Sequence, residues 1–338
     1  MQLQEIDSFS VTLLMDNITD RFLSSSPPHI IRPPMIMNKR FLPAPIAEHG
    51  FSALLQIPSK NNGNDEKKKK NNNNSNIFLF DTGVSENGVI YNADIFGVNL
   101  KNVETIILSH GHLDHFTGLV NVLKRIAEPT KVICHPDAFL KRWIVFPDGN
   151  RAKMPFLDEK KLEEIGALIS KKKDASFLPD NDDHHQSPSL LITGQIPRKT
   201  SFEKGFPIQY VEKEEEKSKN YKLIPDPLVN DDQAIIVNIK EKGLVIVTGC
   251  GHAGIINTMN YAKSLTGVDK VYAVVGGFHL TGSIIYEDII EATITELQKA
   301  DPEYLVPCHC TGWQATNRII EIMPEKFMQT SVGTTFHF

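Results

Sequence analysis

The sequence predicts a strand-rich α/β fold in which two sheets pack together with helices outside. Three observations lead there. Short apolar, β-branched runs recur along the chain, each closed by glycine or a polar cluster. Helical patterns sit between several of them. Strands and helices do not alternate strictly, as they would in a doubly wound sheet.

Taken in order, strands are expected at residues 10–15 (SVTLLM), 51–57 (FSALLQI) and 77–80 (IFLF), which read as an antiparallel meander because no helix intervenes. Further strands are expected at 105–108, 131–134, 190–193, 234–239, 244–248, 271–275 and 304–307, and helices at 117–126, 158–169, 255–265 and 286–299. Residues 59–76 (SKNNGNDEKKKKNNNNSN) hold almost no apolar side chain and cannot offset their ordering entropy, so a disordered loop is expected there. Strand-like flanks make it the extension of a hairpin loop inside a single domain spanning 1–338. The polar stretches 171–187 and 211–222 are expected to be solvated excursions from the core.

Composition excludes some function classes. A net charge of −5 with 23% charged residues gives no basic excess, which argues against a nucleic-acid partner. No run approaches the ~18 apolar residues of a membrane span, and the N-terminus lacks the pattern of a signal peptide. Cys134, Cys250, Cys308 and Cys310 are too unevenly spaced for a disulfide framework. A cytoplasmic chain acting on a small molecule is the expectation; oligomeric state is open.

The chemistry is concentrated in TIILSHGHLDHFTGL, residues 105–119. An apolar strand runs into a turn at Gly111, with a helix expected from near Phe116, so His110, His112, Asp114 and His115 emerge together at a strand end. Three imidazoles and a carboxylate form a ligand set suited to Zn²⁺ and compatible with Fe or Mn²⁺. One metal cannot take all four, since alternate residues diverge. The split places His110 and His112 on one ion and Asp114 and His115 on a second, and two ions about 3.5–4 Å apart can acidify a shared water.

The His-x-His-x-Asp-His segment resembles the signature of the metallo-β-lactamase superfamily. Phe80-Asp81-Thr82-Gly83, Thr248-Gly249-Cys250-Gly251-His252 and Val306-Pro307-Cys308-His309-Cys310 fall in that superfamily's order. GFSALL (50–55), TGQIPRKTSFE (193–203), DDQAIIV (231–237), GCGHAGIINT (249–258), GGFHL (276–280) and PCHCTG (307–312) look like one subgroup. It includes the archaeal 7,8-dihydropterin-6-methyl-4-(β-D-ribofuranosyl)aminobenzene-5'-phosphate synthase. The resemblance covers nearly the whole chain outside the low-complexity insert. It implies a four-layer αββα sandwich with a dinuclear site, two metals per chain, and Asp81 bracing the metal turn; an ordinary turn aspartate is the plainer alternative.

Two positions depart from that pattern. Gln195 stands near the place of a mid-chain histidine ligand, and Cys250 stands where a bridging aspartate is expected. The expected sets become His110, His112 and His252 on one metal and Asp114, His115 and His309 on the other. Cys250 either bridges as a thiolate or is an inert buried thiol. Asp114 and His279 are the catalytic candidates; His279 can ligate, move a proton or bind an anion. Glu48, His49, Arg198 and Lys199 are candidate substrate contacts, the last two for phosphate. His135 is expected to be structural, and His184 and His185 to be adventitious metal binders.

The resemblance implies either hydrolysis by an activated water or transfer onto a phosphorylated aromatic amine with pyrophosphate leaving. A di-iron redox protein and a non-catalytic small-molecule sensor are the rival readings.

Overall fold

The computed structural model describes residues 3–25, 27–37, 39–58, 75–178, 188–214, 221–281 and 287–338. Residues 59–74 of the low-complexity run, His184 and His185, and 215–220 of the third polar stretch lie outside them.

Among the described residues, an eight-stranded sheet runs in the order Ala167–Lys171, Thr130–Cys134, Thr105–Ile107, Ser75–Phe80, Ser52–Pro58, Ser10–Met15, Thr335–His337, Ile30–Ile31. A seven-stranded sheet runs Ser176–Leu178, Leu190–Ile192, Ala234–Ile239, Gly243–Thr248, Val271–Gly277, Tyr304–Cys308, and Glu5–Ile6 pairs with its Ala234–Ile239 strand. The meander at 10–80 is present: Ser10–Met15 pairs antiparallel with Ser52–Pro58, which pairs antiparallel with Ser75–Phe80 to the register Pro58–Ser75. Residues 59–74 therefore join adjacent strands of one sheet.

Period-two alternation explains the layering. Ile235, Val237 and Ile239 face Val11, Phe51, Phe80 and Phe336 in the core between the sheets, while Ala234 and Ile236 turn outward to the helices Ile255–Thr266, Glu287–Ala300 and Trp313–Ile322. On the other sheet Phe78 and Phe80 point inward, and Ile77 and Leu79 meet the helices Gly88–Phe96 and Leu119–Ile126. Each such side chain taken out of water contributes about 1.5–3 kcal/mol. The result is an αββα sandwich.

Three expectations are corrected. The helix expected over 158–169 ends at Glu164, because Gly166 takes φ 97° and Ala167–Lys171 continues as a strand parallel to Thr130–Cys134. The stretch 171–187 contributes to the sandwich, since Ser176–Leu178 pairs with Leu190–Ile192. The charge run at 211–222 is no mere excursion either. Its flanks, Gln209–Glu214 and Tyr221–Pro225, pair with each other in a separate four-stranded sheet, where Gln209–Glu214 also pairs with Arg142–Val145 and Arg142–Val145 with Arg151–Lys153. There Lys153 pairs with Glu212 at 2.6 Å and Trp143 Nε1 donates to Glu212, so alternate charged residues form the solvated face of real strands.

Topology sets where the site lies. Ser75–Phe80, Thr105–Ile107 and Thr130–Cys134 are mutually parallel, as are Gly243–Thr248, Val271–Gly277 and Tyr304–Cys308. The residues that follow these strands therefore gather at one edge of the sandwich. No helix among the described residues is long and apolar enough to cross a membrane.

Candidate metal centre

The turn after Thr105–Ile107 is built for close approach. A side chain on Gly111 would run into the Ala138 carbonyl and Arg142, and the Gly111 N–H donates to Asp231 Oδ2 at 2.7 Å. The helix that follows starts at Leu113, earlier than the expected Phe116, which places Asp114 and His115 in its first turn.

His110, His112 and His252 form one buried cluster. Their ring centroids form a near-equilateral triangle of 4.5, 4.8 and 4.7 Å. Burial pushes all three imidazoles below their ordinary pKa, His112 to about 4, so they are neutral donors at physiological pH. His110 Nε2 is fully buried yet has no hydrogen-bond partner in the protein. An orphaned buried nitrogen is costly unless something binds it, and a metal ion does so.

Asp114, His115, Cys250 and His309 form the second cluster. Cys250 Sγ lies 3.2 Å from His115 Nε2 and 3.4 Å from His309 Nε2; Asp114 Oδ2 lies 3.6 and 3.3 Å from the same two nitrogens. Tetrahedral zinc with bonds of about 2.0–2.3 Å spaces its donors about 3.3–3.8 Å apart, so this set fits such an ion. Electrostatics differ from the first cluster. Burial opposes charge on His115, but Asp114 and Asp81 outweigh it and raise its pKa to about 9. Burial likewise works against the Asp114 carboxylate, and His115 and His309 hold its pKa well below the ordinary range. Burial pushes the Cys250 thiol up.

Outer contacts fix the donor atoms. Asp81, at the end of Ser75–Phe80, accepts from Ser109 N–H at 2.7 Å, from Ser109 Oγ at 2.6 Å and from His115 Nδ1 at 2.7 Å. His115 Nε2 is thereby left facing the cluster. Ser109 Oγ is also 2.9 Å from His110 Nδ1, which turns Nε2 of that ring inward. His309 is held by Asp16 and Asn17: its N–H donates to Asp16 Oδ1 at 2.9 Å and its Nδ1 meets Asn17 Oδ1 at 3.2 Å. Asp81, His279 and His309 all carry positive φ (62°, 46° and 47°), a strained conformation for residues with side chains that collects at functional sites.

The remaining candidates are placed as follows. His279 stands 4.0 Å from His252 ring to ring, within a group with Cys250 and His252, and Phe206 packs edge-on against it at 5.3 Å. His49 is exposed at the outer side of the second cluster, with Nε2 3.9 Å from Asp114 Oδ2. Glu48 is half-buried beside Ser85 and Gly88. Arg198 has both terminal nitrogens on backbone carbonyls, Nη1 on Ile196 and Nη2 on Leu228 and Val229, so it holds that loop rather than presenting a free fork to phosphate. Lys199 is exposed. Gln195 is half-buried and its N–H donates to the Lys173 carbonyl at 2.8 Å. Sequence reasoning missed Asp16 and Asn17, whose one signal was a polar pair closing the 10–15 strand, and it missed Gln209, Arg142, Asp226 and Asp231.

Comparison with known proteins agrees with this geometry. Residues 72–309 match the family model described as the metallo-beta-lactamase superfamily. The chain is 30% identical over 294 residues to a 7,8-dihydropterin-6-methyl-4-(beta-D-ribofuranosyl)-aminobenzene-5'-phosphate synthase of Methanocaldococcus jannaschii, covering 86% of this chain and 90% of that protein. An uncharacterized protein of the same organism is 32% identical over 287 residues, covering 85% and 92%. Among solved structures, Tm1679, described as a metal-dependent hydrolase of the beta-lactamase superfamily, matches with a TM-score of 0.66 at 21% identity over 97% of this chain and 98% of that one. That likeness shows a shared fold. The chain belongs to the metallo-beta-lactamase superfamily and has the fold of its enzymes.

Proposed function

We propose that this chain is a dinuclear zinc enzyme that couples a dihydropterin carrying a methyl diphosphate to a phosphorylated aromatic amine, releasing pyrophosphate. The observation that carries the metal half is the pairing of two buried donor clusters at one sheet edge, joined where His110 and His115 approach to 4.3 Å ring to ring. His110, His112 and His252 would hold one ion, and Asp114, His115, Cys250 and His309 the other. The name of the Methanocaldococcus relative, matched over 86% of the chain, supports a dihydropterin and a phosphorylated aminobenzene as the two parts that are joined.

In the reaction a carbon–oxygen bond to diphosphate breaks and a bond from the methylene carbon to the aromatic amine forms. Metal ions held by these two donor sets would supply Lewis acidity and positive charge for a diphosphate leaving group. The chain's own residues do the rest. Phe206, half-buried within 6.3 Å of the His112 ring, offers a face on which a planar ring stacks. His279 takes the proton released by the amine, and His49, exposed beside Asp114, meets a phosphate oxygen.

The test is to incubate zinc-loaded protein with both substrates and follow pyrophosphate and the coupled product. Equal amounts of each support the proposal. Release of pyrophosphate or inorganic phosphate without coupled product identifies a hydrolase instead, and no turnover with tight ligand binding identifies a sensor.

A further inference from the structure

The His110–Gly111–His112 turn is gripped at two points by the four-stranded sheet and the loops beside it, through a closed polar circuit. Gly111 N–H donates to Asp231 Oδ2 at 2.7 Å, and Asp231 Oδ1 pairs with Arg142 Nη2 at 2.6 Å. Arg142 Nε lies 3.6 Å from Asp226 Oδ2, the oxygen that accepts from Gln209 Nε2 at 2.8 Å. Gln209 Oε1 returns to the turn at His112 Nε2. Gln209 and Arg142 are buried in adjacent strands of the four-stranded sheet.

The circuit settles which atoms carry hydrogens. Gln209 Nε2 faces two acceptors on Asp226, the carboxylate at 2.8 Å and the main-chain carbonyl at 3.2 Å, so the amide N–H₂ must be on that side. The oxygen is therefore the atom on His112. A carbonyl oxygen only accepts, so His112 Nε2 must donate, and in a neutral imidazole Nδ1 then holds the lone pair. Nδ1 is the atom turned toward the first cluster, 3.1 Å from His252 Nε2.

We propose that Gln209 is the positioning residue of the first metal cluster: it locks His112 in the Nε2–H tautomer and so presents Nδ1 to the ion. The use of Nδ1 rests on the metal reading above; the tautomer is a property of the metal-free chain. Specificity of the arrangement comes from Asp226, since without it the amide can flip and offer N–H to His112, which would select the opposite tautomer.

Two measurements test this together. Long-range ¹H–¹⁵N correlation on metal-free protein labelled at histidine nitrogens reads the tautomer directly, and chelator competition reads zinc affinity at each site. Wild-type His112 is expected to be protonated at Nε2. Gln209→Leu, similar in volume but without an acceptor, is expected to mix the tautomers and weaken one site about 10–100-fold while leaving the other unchanged. Gln209→Glu combined with Asp226→Asn keeps an oxygen on His112 and a donor opposite it, and is expected to restore both readouts. An Nδ1-protonated His112 in the wild type overturns the proposal, as does a Gln209→Leu protein with unchanged tautomer and affinity. Equal weakening of both sites with no rescue by the double variant makes Gln209 merely structural and overturns it too. If the wild type binds no metal, the metal reading fails, and the tautomer measurement still decides whether Gln209 sets the ring.

Discussion

Asp81 Oδ2 lies 2.7 Å from His115 Nδ1, with both side chains fully buried, and the same oxygen accepts from Ser109 Oγ, which reaches His110 Nδ1. One carboxylate thus orients an imidazole in each cluster. Asp81 makes these contacts from a left-handed backbone conformation, φ 62°, in a fully buried position.

Asp81→Ala should therefore weaken both metal sites, by about 10–100-fold each, because both rings lose their fixed orientation. Equilibrium dialysis against zinc checks this, with His337→Ala as a control at the exposed end of the Thr335–His337 strand. Weakening confined to one site would show that Ser109 orients His110 without Asp81.

Cys250 should ligate. Its sulfur lies 3.2 and 3.4 Å from the two imidazole nitrogens of the second cluster. Cobalt-substituted protein is expected to show an intense near-ultraviolet thiolate-to-metal absorption that disappears in Cys250→Ser. A spectrum identical in both proteins would leave Cys250 a buried thiol.

The two clusters should respond differently to pH. His115 has its pKa raised to about 9 and the Cys250 thiol is pushed up, so metal entering the second cluster must displace protons. Its apparent affinity should rise steeply as pH increases toward about 9. His112 titrates at about 4, and His110 and His252 are also lowered, so the first cluster should be nearly flat above neutrality. Calorimetry in buffers of different ionisation enthalpy counts the protons; equal release at the two steps would contradict the assignment.

Asp231→Ala should cost about 3–5 kcal/mol, since it leaves Arg142 a buried charge with only Asp226, 3.6 Å from its Nε, to offset it. Both residues are at most 1% exposed and pair at 2.6 Å. Urea unfolding of metal-free protein measures it. A loss under about 1 kcal/mol, the range of an exposed pair, would mean water reaches Arg142.

Much of the site was legible because its chemistry is local. Four donor side chains within His110–His115 follow one apolar strand, and His252 and His309 follow two others, so a strand reading alone places them at one edge. What escaped was support from residues with no local signature. Gln209 opens a strand, Gln209–Glu214, whose Glu and Lys imitate a solvated charge run, and Arg142 opens Arg142–Val145, a strand of four residues too short to show an alternation. Asp16 and Asn17 reach His309 across 292 or more residues, a pairing that only the folded sheet creates. The helix expected over 158–169 failed for a simpler reason: an apolar pattern continued past Gly166, whose backbone turns the chain into a strand.

The central claim, that two metal ions sit in two distinct donor sets, is tested most directly by anomalous scattering at the zinc edge from crystals of zinc-loaded protein. Two peaks are predicted, one enclosed by His110, His112 and His252 and the other by Asp114, His115, Cys250 and His309. A single peak, or peaks that leave either set empty, would contradict it.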